Sequence, residues 1–327
     1  MNAHLTASLL IFALTRAASA ELPLVEAVFS PAPGIGPEDG VMRRDPSDII
    51  KVGDHYHVWY SKGKFSHGYD ASIWHASSPD GKTWTEHGEA LPRGTAGTWD
   101  EQSVFTPNML VAENKFWLFY TAVPKPFVAS GPNLTRTAIG VASADSPAGP
   151  WTRFDGNPVL RPRGDESHFD GVRVDDACLI VRQGKYLLYY KGRQGIKTTP
   201  YETKMGLAIA DRPQGPYTRV QDDPVIHGGH EVLVWPQGTG VAALLSNHGP
   251  EGLKNRIHFS EDGTHFKPTH RISPTPCGAG AYRPEAFTGS NKGGPISWGI
   301  HILNRRDGLP ALERFDLRWP PNIPAEE

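Results

Sequence analysis

The chain has 327 residues, with 33 basic side chains against 35 acidic ones and a formal net charge of −2. That balance leaves no electrostatic footprint for nucleic acid or an anionic membrane surface, so neither is expected as a partner. Its 35 glycines and 30 prolines break long helices and punctuate short strands.

The first residues read as an export signal: Leu9 to Leu14 form a short apolar core, and Ala18-Ser19-Ala20 supplies the small-residue pattern for cleavage after Ala20. Residues 1–20 are therefore expected to be removed, leaving residues 21–327 as one secreted or periplasmic domain. The apolar run is shorter than the roughly 20 residues that span a bilayer. No later stretch is longer and as apolar, so no membrane partner is expected. Cys178 and Cys277 are the only cysteines. In an exported chain they could pair, but Cys178 lies in an apolar strand and a buried free thiol fits equally.

From residue 49 onward one pattern recurs five times: an apolar run, a turn, then an aromatic-rich run. The copies begin at Ile49-Ile50-Lys51-Val52, Met109-Leu110-Val111, Cys178-Leu179-Ile180-Val181, Val232-Leu233-Val234-Trp235 and Glu285-Ala286-Phe287. Each is followed across its turn by a partner run such as Tyr56 to Tyr60, Phe116 to Tyr120 or Tyr186 to Tyr190. These are β-hairpins with their turn chemistry in place. Further strand-turn signals follow, as in Ser72 to Ser77 with Pro79-Asp80-Gly81, and a last one, Ala311 to Leu317, ends the series. About four strands per unit and five units predict an all-β fold, a five-bladed β-propeller. The Pro/Gly-rich stretch from Glu21 to Gly40 is assigned no strand.

Every unit carries acid at or just before its first strand: Asp45 and Asp48, then Asp100 and Glu101, then Asp170, Asp175 and Asp176, then Glu231, then Glu285. The first strand of a propeller blade lines the central axis, so these acids are expected to converge on one mouth of the tunnel. Carboxylates brought together repel and are costly to desolvate, which stability alone does not explain. Each acid taken singly could be a strand cap or a salt-bridge partner. Taken together they suit hydrolysis of a glycosidic bond, where one group protonates the leaving oxygen and another activates water. The same oxygens could instead hold a divalent cation at the centre of the propeller. No other cofactor is indicated. The histidines at 55, 57, 67 and 75 spread over two strands and are read as surface or pocket lining rather than a zinc site.

Four strings make the chain resemble glycoside hydrolase family 117. They are Arg43-Arg44-Asp45-Pro46-Ser47, Trp99-Asp100-Glu101-Gln102-Ser103-Val104-Phe105-Thr106-Pro107-Asn108, Asp175-Asp176-Ala177-Cys178-Leu179 leading to Tyr189-Tyr190-Lys191-Gly192-Arg193-Gln194, and Gly229-His230-Glu231-Val232. The resemblance implies a five-bladed propeller related to families 43 and 32. It implies an exo-acting enzyme that inverts the anomeric centre and removes a terminal α-linked 3,6-anhydro-L-galactose from red-algal oligosaccharides. Carried over by motif, Asp45 is the base and His230 the acid, with Glu231 beside it. One of Asp175 and Asp176, with a slight preference for Asp175, orients or tunes that acid. Arg44, Trp99, Asp100, Glu101, Gln102, Asp176, Lys191, Arg193, Trp235 and Glu285 are expected to contact the oligosaccharide. The chain departs from the family before Gly40, where a helical segment exchanged between subunits is common, so the oligomeric state stays open. Two other functions fit the residues. One is an arabinosidase- or fructosidase-type propeller glycosidase using Glu166 as its acid. The other is a carbohydrate-binding propeller without catalysis.

Overall fold

The computed structural model describes residues 21–230, 232–246, 249–284, 293–305 and 308–321. The expected signal peptide, Glu231, Glu285 and the hairpin start at Glu285 to Phe287 lie outside the described residues.

The strands in chain order are β1 (Leu24–Pro31), β2 (Met42–Arg44), β3 (Ile50–Val52), β4 (His55–Gly63), β5 (Ser72–Ser78), β6 (Thr85–Leu91), β7 (Ser103–Ala112), β8 (Lys115–Val123), β9 (Ala138–Ala144) and β10 (Thr152–Arg153). They continue as β11 (Arg173–Arg182), β12 (Lys185–Arg193), β13 (Lys204–Ala210), β14 (Thr218–Arg219), β15 (Val232–Gln237), β16 (Gly240–Leu245), β17 (Arg256–Ser260), β18 (Lys267–Ser273), β19 (Gly280–Ala281), β20 (Trp298–Leu303) and β21 (Ala311–Arg318). Among the described residues there is no α-helix, only a 3-10 turn at Pro200–Glu202. None is therefore long and apolar enough to cross a membrane.

The pairing gives a five-bladed β-propeller. Blade I holds β2 and β3 in line, then β4, β5 and β6; blade II holds β7 to β10 and blade III β11 to β14. Blade IV holds β15 to β18, and blade V holds β19, β20, β21 and β1. The aromatic and β-branched runs become the second strands because such side chains pack well on a pleated surface. Tight turns join them to the inner strands. Glu113 and Asn114 take φ of 53° and 58°, and Gln183 and Gly184 take 51° and 71°, the left-handed pair whose twist matches a hairpin. A separate apolar core fills each blade seam, for example Leu110, Phe119, Leu179 and Tyr190 between blades II and III, and Cys178, Leu207, Val234 and Val241 between blades III and IV. Cys178 and Cys277 are both buried thiols.

One segment differs from the sequence expectation. The stretch before Gly40 supplies β1, which becomes the outermost strand of blade V. It pairs antiparallel with β21, Glu26 opposite Arg318, and parallel with β18, Leu24 opposite Arg271. The alternation of buried Val25 and Ala27 with outward Leu24 and Glu26 is a strand pattern, but it is short and borders the Pro/Gly run. Its partner lies at the far end of the chain, out of reach of local pattern. The inner strand of blade V among the described residues is Gly280–Ala281.

Because strands alternate direction, the inner strands all start at one face of the ring. The β4–β5, β8–β9, β12–β13 and β16–β17 connections lie at that same face, above the axis.

Candidate active site

At that face the inner strands of blades I, II and III share one irregularity. In blade I, β2 stops at Arg44 and β3 resumes at Ile50. In blade II the register breaks between Phe105 and Asn108, and in blade III between Asp175 and Cys178. At each break one non-glycine residue takes a left-handed backbone: Asp45 at φ 50°, Thr106 at 47° and Asp176 at 50°. Such conformations persist only where the surroundings over-determine them, and they cluster at functional sites. Here they turn side chains into the axis. Asp45, Thr106 and Asp176 line one pocket with Pro46, Pro107 and Ala177, closed by Val232 from blade IV and Gly278 from blade V.

A chain of hydroxyls fixes the three bulges relative to one another. Ser61, Thr121 and Lys191 hold the same register position on the second strands, opposite Arg44, Phe105 and Asp175. Each of the first two reaches the bulge of the next blade. Thr106 N donates to Ser61 Oγ at 2.9 Å, and Asp176 N donates to Thr121 Oγ1 at 3.2 Å. Ser61 Oγ donates to Asp45 Oδ2 at 3.4 Å, and the Thr106 and Thr121 hydroxyls lie 2.5 Å apart. No local sequence signal marks Ser61 or Thr121, and the sequence reading missed both.

The charges on the rim are distinct. Arg44 Nε donates to both Asp45 oxygens, at 3.0 and 2.9 Å, a charge-assisted pair. Lys191 reaches Asp176 Oδ2 directly and lies 3.9 Å from Asp175 Oδ1. Burial pushes the Asp176 carboxyl up to about 7; Lys191 pulls it down, and the neighbouring Asp175 and Asp45 push it further up. Burial lowers the Lys191 ammonium, but the two aspartates outweigh it and hold Lys191 above its usual range. Asp175 Oδ1 and Asp176 Oδ1 are buried and accept no hydrogen bond from any described residue. A buried carboxyl oxygen left without a donor calls for a partner from outside the chain.

His230 sits before blade IV, half-buried, after Gly229 at φ 94°. Its ring is 5.7 Å from that of Tyr201, on the 3-10 turn of the β12–β13 connection. Arg193 is buried beside Arg173, and burial first, then that like charge, lowers its pKa.

The remaining expected residues lie elsewhere. Asp100 is 1% exposed and bonded to Arg153 Nε at 2.7 Å, while Trp99 stacks on Tyr120 with ring centres 5.9 Å apart. Both fill the outer part of blade II, not the axial pocket. Asp170 repeats the arrangement in blade III: it accepts from Arg219 Nε at 2.6 Å and Tyr190 OH at 2.9 Å, and Phe169 stacks on Tyr190. In both blades the aromatic pair lies over a glycine of the third strand. A Cβ on Gly140 would meet Trp99 at 2.7 Å, and one on Gly206 would meet Tyr190 at 2.4 Å. Glu101 pairs with Lys125 at 3.3 Å, Gln102 holds Tyr69 O at 3.0 Å, and Trp235 is buried in the seam core of blades IV and V. Asp48 lies deeper on the axis and accepts from Arg283 Nη1 at 2.7 Å. Among the described residues no group of three or more His, Cys, Asp or Glu is placed to hold a metal ion. A guanidinium occupies the cationic place beside Asp48.

The histidines form a separate pocket away from this face. His57, His75 and His87, on β4, β5 and β6, line it with His55 and Glu89. His57 Nδ1 and His75 Nε2 are 2.9 Å apart, sharing one proton between neutral rings.

The comparison with known proteins agrees with this geometry. The sequence model described as Glycosyl hydrolases family 43 matches residues 41–177. The levanase of Bacillus subtilis (strain 168) is 24% identical over 238 residues, covering 68% of this chain and 33% of the levanase, so the chain spans a third of that relative. Among solved structures, a family 117 glycoside hydrolase produced by the marine bacterium Zobellia galactanivorans matches with a TM-score of 0.79 and 31% identity over 90% of both chains. The sucrose-6-phosphate hydrolase of Lactobacillus gasseri, at 13% identity and a TM-score of 0.64 over 90% of this chain and 62% of its own, shares the fold.

Fold and site together define a propeller enzyme that hydrolyses O-glycosyl bonds. At 31% identity over nine-tenths of a relative, the assignment can be narrower: the chain belongs to glycoside hydrolase family 117.

Proposed function

We propose that the protein is an exo-acting hydrolase that removes an α-linked terminal sugar of the 3,6-anhydro-L-galactose type from red-algal oligosaccharides, with inversion. The observation that carries this reading is the pair of bulge aspartates, Asp45 and Asp176, lining one axial pocket from separate blades, the first gripped by a guanidinium and the second by an ammonium. Asp45, gripped by the Arg44 guanidinium, activates the water. Asp176 keeps a proton close to neutral pH and offers hydrogen bonds to the terminal sugar through its open oxygen. His230, on the neighbouring blade, delivers a proton to the leaving oxygen, and Glu231 follows it in sequence. An acid and a base on different blades leave space for a water between them, the arrangement of an inverting site. Asp176, as blade III's counterpart of Asp45, is a better candidate than Asp175 for tuning the acid.

The test is direct. The purified protein, offered neoagarobiose, is expected to release the anhydro sugar, with NMR recording the inverted anomer first. Retention would overturn the mechanism. Turnover of levan, sucrose or aryl arabinofuranosides in place of neoagarobiose would overturn the substrate class and favour the arabinosidase or fructosidase reading, which the family 43 match and the levanase likeness support. Binding without turnover of any of these would leave a lectin.

A further inference from the structure

The β4–β5 connection lies against Arg44, the partner of Asp45, and carries a row of aromatic rings that hydrolysis itself does not use. Arg44, whose Nε holds Asp45, donates from Nη1 to Ser66 O at 2.7 Å, so the connection is tied to the base's own partner. Phe65 stacks on His67 with ring centres 5.6 Å apart and planes within 24°. His67 stacks on Tyr69 at 5.6 Å, and Tyr69 on Phe127 of the next blade at 4.1 Å. Tyr69 N donates to His67 Nδ1 at 3.0 Å, fixing the imidazole within the row. At the inner end Arg173 Nη1 donates to Tyr69 OH at 3.2 Å, with its guanidinium 5.5 and 5.6 Å from the ring centres of Tyr69 and Phe127.

Phe65 ends this row and is 57% exposed. One face is covered by His67 and the rest of the ring meets solvent. An exposed aromatic ring costs hydration free energy, and here it is also held rigid by the stack behind it, so it is preorganised to receive a flat apolar surface. The faces of sugar rings present such surfaces. If a terminal sugar enters the axial pocket, the rest of the oligosaccharide must leave across this rim.

We propose that Phe65 is the platform for a sugar of the leaving chain, beyond the one joined to the scissile bond. The proposal rests on the exo-acting reading above. Tyr201 is the competing exposed aromatic, 58% exposed, with its ring tilted against that of His230 at 5.7 Å, on the side of the proposed acid and away from the β4–β5 row.

Binding is measured by calorimetry in the Asp45→Asn protein, which should hold substrate without cleaving it, using neoagarobiose and neoagarohexaose. Adding Phe65→Ala is expected to weaken the hexasaccharide about five- to tenfold and leave the disaccharide unchanged, with Phe65→Trp restoring affinity. Phe65 is an exposed loop residue, so folding is not at stake. Equal weakening of both saccharides, no weakening of either, or a length-dependent loss from Tyr201→Ala instead would each overturn the proposal. Failure of the Asp45→Asn parent itself to bind either saccharide would overturn the substrate reading, and the platform with it.

Discussion

Asp45 and Asp176 on one hand, and Asp100 and Asp170 on the other, are acids from the same blade starts with opposite fates. The second pair lies beneath an aromatic stack and is matched by an arginine from the outermost strand, Arg153 or Arg219. In blade III a tyrosine hydroxyl adds a further donor. The arrangement recurs in neighbouring blades because it fastens the start of a blade to its outer edge. The first pair sits on left-handed bulges at the axis and lines one pocket there. All four acids have a cation beside them; what differs is that the acids that hold the fold lie under aromatic rings, whereas the other two open onto a pocket.

Substitutions can pull this contrast apart. Asp45→Asn is expected to leave melting behaviour near that of the parent and cut kcat/KM by about 10²- to 10⁴-fold; near-normal turnover would remove Asp45 from the mechanism. Asp170→Asn should do the reverse. Leaving Arg219, and Arg163 whose Nε lies 3.3 Å from Asp170 Oδ1, beside a neutral amide costs about 3–5 kcal/mol in chemical denaturation, with turnover per folded molecule unchanged. Thr121→Val keeps the shape but takes the hydroxyl from Asp176 N and Thr106. It should lower kcat about tenfold with little change in KM, and Thr121→Ser should recover most of the loss. A fall in stability alone would make Thr121 a packing residue.

The smallest effect concerns pH. Burial first, then the charges of His55 and His87, lowers His57 to about 4. Burial, then His57 and His87, lowers His75 to about 3. Unfolded histidine takes up protons near 6.5, so the unfolded chain binds more protons as pH falls. This contribution is complete above about 6.5 and is lost as pH falls through about 4. Asp176, raised to about 7, works in the opposite sense: its contribution is present at low pH and lost as pH rises through about 7. Melting temperature should thus fall a few degrees between pH 7 and pH 4.5. A His57→Gln, His75→Gln double variant should flatten that slope, and Asp176→Asn should steepen it. The same slope in all three proteins would contradict the assignment.

The blades were legible because their signals are local: turn residues at fixed offsets, period-two apolar runs and a repeated aromatic strand. The gathering of acids at one face followed from the blade count. Which acids face the axis did not, since Asp100 and Asp176 occupy similar-looking strings and are separated only by the partners that folding brings, Arg153 in one case and Lys191 in the other. A faint clue exists in the parallel strings Arg44-Asp45-Pro46, Phe105-Thr106-Pro107 and Asp175-Asp176-Ala177, which align once the bulge is known. Ser61 and Thr121 act across blade boundaries through backbone amides, and nothing in a hydroxyl's neighbours announces that.

The seam between β1 and β21 sets the order in which the molecule can be completed. The first strand precedes blade I, yet its antiparallel partner, with Glu26 opposite Arg318, follows the other four blades in sequence. Until the two pair, blade V lacks its outer edge and β1 carries unpaired amides and carbonyls, the kind of edge on which a second chain can template. A contact of such long sequence separation forms late and slowly. The ring is therefore held shut by a clasp whose two halves are separated by every other blade, and the axial pocket, which needs all five blades in place, is finished only when they meet.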